Sequence, residues 1–76
     1  MKLLIVDDES RIRTLIAKYA AFEGYAWEEA ADGMEAIEKA RDGSIGLVIL
    51  DIMMPELDGF SAAREMRKFR PNLPII

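Results

Sequence analysis

The stretch Leu47–Gly59 reads LVILDIMMPELDG, and its reading decides the fold. Leu47, Val48, Ile49 and Leu50 run without a polar interruption, the pattern of a strand buried on both faces of a parallel sheet. Asp51 follows where such a strand leaves the core. Ligands of open α/β sheets collect at the carboxyl ends of the strands. Pro55 lacks an N–H and biases Met54 toward an extended backbone, so the strand ends in a stiffened loop. Asp58-Gly59 then opens a helical pattern from Phe60. Taken alone, Asp51 has a plainer reading as a strand-end residue that hydrogen-bonds a nearby amide.

A second stretch works against the plainer reading. Residues 2–9 read KLLIVDDE, another apolar run, Leu3 to Val6, followed directly by Asp7 and Asp8. Two parallel strands that each end in aspartate bring three carboxylates to one end of one sheet. Crowded carboxylates repel and must take up a proton or bind a cation. Oxygen ligands without His or Cys suit a hard cation, and a few carboxylates plus waters suit Mg²⁺ better than Ca²⁺. A helix N-cap with a neighbouring first-turn acid accounts for one of Asp7 and Asp8, but not for the pair together with Asp51.

IVDDE near the start and LVILDIMMPELDGF downstream resemble the receiver domain of bacterial two-component response regulators, and the resemblance spans all 76 residues. It implies a flavodoxin-like doubly wound parallel sheet, with Asp51 as phosphoacceptor. It also implies Mg²⁺ held by Asp8, Asp51 and the backbone carbonyl of Met53, with Asp7 contributing through water. The implied phosphodonor is a sensor histidine kinase. Gly46 departs from the pattern, since many receivers carry an acid before the apolar run; it softens the entry to that strand and touches no chemistry.

Composition limits the alternatives. Seventy-six residues allow one small domain, and 51% apolar residues are ample for a core. Fourteen acids against ten bases give a net charge of −4, which argues against nucleic-acid binding by this segment. The absence of cysteine removes disulfides and thiolate metal sites and fits a cytoplasmic location. No secretory pattern is visible, and no apolar stretch approaches the ~20 residues of a membrane span.

Taken in order, Asp8 or Ser10 is expected to cap a first helix with Ile12, Leu15, Ile16, Tyr19 and Ala20 on its inner stripe. Arg11, Arg13 and Lys18 fall off that stripe and read as solvated. Gly24 supplies a left-handed helix end. Residues 25–31 form a weak strand suited to a sheet edge, where Trp27 covers the core. A shorter helix from Asp32-Gly33 turns Met34, Ile37 and Ala40 inward and closes at Asp42-Gly43. A third helix from Asp58-Gly59 turns Phe60, Ala63, Met66 and Phe69 inward, with Arg64, Arg67, Lys68 and Arg70 outward. Pro71 ends it, and Ile75-Ile76 begin a fourth strand. The alternation βαβαβαβ predicts a parallel sheet with right-handed crossovers, and the resemblance implies the strand order 2-1-3-4.

Against the receiver pattern, the chain is a single domain, residues 1–76, that is C-terminally incomplete. A hydroxyl residue after the fourth strand and a lysine ending the fifth, the family's contacts to phosphoryl oxygens, lie outside it. The expected activity is therefore phosphoacceptance with at most weak self-phosphorylation and self-dephosphorylation, and not metabolic catalysis. Two other classes compete. One is a self-associating structural module, a homodimer through an open fourth-strand edge near residues 72–76. The other is a Mg²⁺ phosphatase of the haloacid-dehalogenase type, which needs D-x-D where this chain has Met53.

Overall fold

The structure, a computed structural model, describes residues 1–54 and 57–76. Pro55, and with it the stiffened-loop expectation, lies outside the described residues, as does Glu56. The described elements run β1 (Lys2–Val6), α1 (Ser10–Phe22), β2 (Ala26–Ala30), α2 (Gly33–Ala40), β3 (Ile45–Leu50) and α3 (Gly59–Phe69). The strands form one parallel sheet in the order β2-β1-β3. Residues 74–76 extend the order past β3. Val48 N–H donates to Pro74 O at 2.9 Å, Ile76 N–H donates back to Val48 O at 2.9 Å, and Ile75 bridges Val48 in parallel. The flavodoxin-like fold and the start of a fourth strand beside the third are therefore as expected, and β2 is the edge.

The pleat of β1 sorts the core. Leu4 and Val6 join a buried cluster with Ala36, Ala40, Val48, Met54, Ala62 and Met66, on the side covered by α2 and α3. Leu3 and Ile5 point the other way and are buried toward α1, whose buried residues are Ala17 and Ala20. Gly46 is the extra residue of a bulge: Lys2 pairs with Ile45 but Leu3 with Leu47. Met1 packs over it, so a Cβ there would lie 2.5 Å from Met1 Sδ.

Three inward faces match those expected only in part: Ala20, Ala40 and Met66 are buried as expected, and other positions differ. On α1, Ile12, Leu15 and Tyr19 are exposed and Ile16 half-buried, while Ala17 and Ala20 are buried and Arg13 half-buried beside them. On α2, Met34 is exposed; Gly33, Ala36 and Ala40 make the inner face. On α3, Phe60 is exposed and Ala62 is buried with Met66, while Arg70 turns in to donate to the carbonyls of Ala40 and Asp42. The common cause is close approach. α1 and α2 lie close on the sheet and α3 lies close on α2, and such tight seams favour small residues and leave larger ones at the flanks.

The helix ends are set locally. Glu9, not Asp8 or Ser10, is the N-cap of α1, and it caps with no side-chain bond. At the other end Gly24, at φ +82°, lets Tyr25 N–H reach Ala20 O and Gly24 N–H reach Ala21 O, the paired bonds of a Schellman ending. Asp32 caps α2 through Glu35 N–H, and Glu35 reaches back to Ala31 N–H. Among the described residues no helix is long and apolar enough to cross a membrane.

Candidate metal and phosphoacceptor site

Backbone bonds carry the three acids to one place. Asp51 N–H donates to Val6 O at 3.0 Å, tying the end of β3 to the end of β1. Asp7 N–H donates to Ala30 O at 3.1 Å, tying the same corner to β2. One carboxylate oxygen from each of Asp7, Asp8 and Asp51 lies within 4.8 Å of the others; Asp7 and Asp51 are half-buried and Asp8 is exposed. All three acids proposed from sequence thus meet at the carboxyl ends of β1 and β3.

Local amides orient two of them. Asp7 Oδ1 accepts from Glu9 N–H at 2.8 Å, and Asp51 Oδ1 accepts from Met53 N–H at 3.0 Å. Met53 itself is exposed in the loop, whereas its neighbour Met54 is buried in the core and anchors the loop there. Asp58 caps α3 through Ser61 N–H at 2.8 Å, and that amide holds its carboxyl below the usual carboxylate range.

The charge balance differs between the two ends of the sheet. At the amino end Lys2 bridges Glu28 at 2.7 Å and Asp42 at 3.6 Å. At the carboxyl end, among the described residues, no Lys or Arg forms an ion pair with Asp7, Asp8 or Asp51. An all-oxygen donor set whose carboxylates have no ion-pair partner among the described residues fits a small hard cation.

Two contributors were missed from sequence. Gly59 N–H donates to Ile52 O at 3.0 Å, and a Cβ on Gly59 would lie 2.5 Å from Asp51 O and 2.6 Å from Ile52 Cα. The start of α3 therefore presses directly on the backbone that carries Asp51. Gly59→Val should cost about 1–3 kcal/mol, because backbone and not a flexible side chain must yield. Gly43→Ala, with nothing within 4 Å of the new Cβ, is the control and should be nearly neutral. Urea midpoints at unchanged slope measure both; equal midpoints for the two variants would contradict the close approach. The second missed residue is Arg13, read as solvated, which donates to Asp7 O at 2.6 Å.

The sequence model of the response regulator receiver domain family matches residues 3–76. The transcriptional regulatory protein ResD of Bacillus subtilis is 45% identical over 75 residues, covering 99% of this chain and 31% of ResD. The response regulator TrrA of Thermotoga maritima, solved in complex with Mg²⁺-BeF, is 42% identical with a TM-score of 0.91, over 97% of this chain and 64% of that one. TrrA solved in complex with the histidine kinase ThkA is likewise 42% identical, with a TM-score of 0.90 over 97% of this chain and 64% of the other. The chain spans about a third of the length of the curated relatives it matches. With the sheet order, the acidic corner and these likenesses in agreement, this chain belongs to the response regulator receiver domain family of two-component systems.

Proposed function

We propose that the chain is a phosphorelay receiver that takes a phosphoryl group from a sensor histidine kinase onto Asp51. The supporting observation is the convergence of Asp7, Asp8 and Asp51 within 4.8 Å with no ion pair to any of their carboxylates among the described residues. A carboxylate oxygen of Asp51 attacks phosphorus in line. An O–P bond forms as the P–N bond to the kinase imidazole breaks, leaving an aspartyl phosphate and a free imidazole. The Met53 N–H fixes the rotation of the Asp51 carboxylate through Oδ1 and leaves its second oxygen free of that bond.

Asp8, Asp51 and the Met53 carbonyl are the proposed Mg²⁺ ligands, with Asp7 contributing through water. When bound, the ion supplies neutralisation of the charge shared by the carboxylate and the phosphoryl oxygens. The Mg²⁺-BeF complex of TrrA and the ThkA–TrrA complex support carrying this chemistry and this kind of partner to the chain. The same reading makes it a cytoplasmic phosphoacceptor with weak self-phosphorylation and self-dephosphorylation. A dehalogenase-type phosphatase lacks its second acid, since Met53 occupies the D-x-D position and is 85% exposed.

Incubation with a small phosphodonor tests the reading. Acid-labile incorporation that requires Mg²⁺ is expected; incorporation indifferent to Mg²⁺ would reject the metal assignment.

Self-association is a second reading, favoured by one observation. Leu50, Ile52, Phe60 and Ile75 line one apolar depression beside residues 74–76, and Ile52 and Phe60 are exposed. Burying such surface against a copy is worth roughly 25 cal/mol per Å² before association costs. A symmetric homodimer of the 76-residue chain near residues 72–76 is the expected species. Sedimentation across concentrations decides it: one monomeric species up to high micromolar would rule it out.

A further inference from the structure

We propose that Arg13 is a positioning residue for the acid pocket, fixing the Asp7–Asp8 peptide so that the Asp8 carboxylate stays in reach of a cation shared with Asp51. The proposal rests on the reading of the pocket as a Mg²⁺ site. Arg13 lies on α1 one turn before Ala17, on the buried side of the helix, and its side chain is only 17% exposed. A guanidinium kept from water needs partners, and this one has two from different elements. Nη1 donates to Asp7 O at 2.6 Å, and Nε donates to Glu29 Oε1 at 3.1 Å on the edge strand β2. Glu29 is itself tied to Trp27, whose Nε1 donates to Oε2 at 3.4 Å.

The consequence falls on one peptide unit. Asp7 has its N–H on Ala30 O and its Oδ1 on Glu9 N–H, so its near side is held by β2 and the start of α1. The carbonyl of Asp7 belongs to the plane that carries Asp8, and Arg13 holds that carbonyl. Asp8 is the exposed member of the triad, so its aim depends on the backbone beneath it. The planar fork of arginine reaches a carbonyl and a carboxylate at once; a lysine ammonium keeps the charge and loses that geometry.

Sign separates positioning from charge. Arg13 is a cation near an acidic pocket, so by Coulomb's law alone its removal tightens a divalent cation. Positioning requires the opposite. Calorimetric titration with MgCl₂ compares wild type, Arg13→Ala, Arg13→Lys and Arg70→Ala. Arg70 bonds the carbonyls of Ala40 and Asp42 at the other end of the sheet, so it controls for loss of a helix-borne arginine. Both Arg13 variants are expected to bind Mg²⁺ roughly 10–100-fold more weakly, the usual effect of losing a group that orients a ligand. Arg70→Ala should stay within about twofold of wild type on the same argument. Unchanged or tighter binding in Arg13→Ala overturns the proposal, as does wild-type affinity in Arg13→Lys. The lysine variant carries the test if the alanine variant does not fold. Wild type without Mg²⁺ binding overturns the pocket reading and the proposal with it; wild-type binding that the Arg13 variants share overturns the proposal alone.

Discussion

Asp51→Asn is expected to lose acid-labile phosphoryl incorporation entirely while keeping its fold. Asparagine has the same shape, and its Oδ1 can still accept the Met53 N–H that orients Asp51 at 3.0 Å. Its amide oxygen is a poor nucleophile toward phosphorus, so the chemistry goes and the loop remains. Mg²⁺ binding should weaken as well. A unit charge at ~4 Å from another is worth about 4 kcal/mol at an effective dielectric of 20, and stripping water from the ion returns much of it, leaving a loss of roughly tenfold or more. Without Mg²⁺ the same variant should melt higher than wild type, because one of three like charges within 4.8 Å is gone. Calorimetric titration and thermal melts measure both effects. Equal Mg²⁺ affinity in the two proteins would remove Asp51 from the metal site.

Leu4→Ala is expected to bring the fold close to its limit. Leu4 is fully buried on the central strand and joins the cluster shared by β3, α2 and α3. Leu→Ala changes at such sites cost about 2–5 kcal/mol, and the cost is largest where rigid surroundings cannot collapse. A sheet strand flanked on both sides by paired strands collapses poorly. At about 0.05–0.15 kcal/mol per residue, a chain of this size has roughly 4–11 kcal/mol in total, so this one change takes a large part of it. The urea midpoint should fall at unchanged slope. A loss below about 1 kcal/mol would mean that this cluster is not what holds the sheet to α2 and α3.

The parts of the fold legible in sequence were those where one property sufficed. Leu3–Val6 and Leu47–Leu50 are continuous apolar runs, and a strand buried on both faces requires that and little else. Because each run ends in aspartate, the acidic corner was legible with them, and Asp7, Asp8 and Asp51 do converge. The helix faces were legible only in part: Ala20, Ala40 and Met66 are buried as expected, and the larger residues beside them are not. Hydrophobic periodicity weights large residues, yet α1 and α2 press alanines on the sheet, α3 lies against α2, and Leu15, Tyr19, Met34 and Phe60 are left at the surface. The pairs Ala17/Ala20 and Ala36/Ala40, and Ala62 beside Met66, held the signal, mostly as a small-residue seam and not as a greasy stripe. Arg13 was illegible for a different reason: its partners, Glu29 and the Asp7 carbonyl, come together only once β2 lies beside β1. Gly59 reads locally as a helix start, and nothing local says that its hydrogen faces the backbone of Asp51.

In the proposed reaction one carboxylate of the acidic corner accepts a phosphoryl group while the others hold the cation. Peptide mapping of the wild-type chain after incubation with a small phosphodonor and Mg²⁺ tests it most directly. A single acid-labile phosphoryl group on Asp51 is expected; a phosphoryl group on Asp7 or Asp8 would reject the assignment.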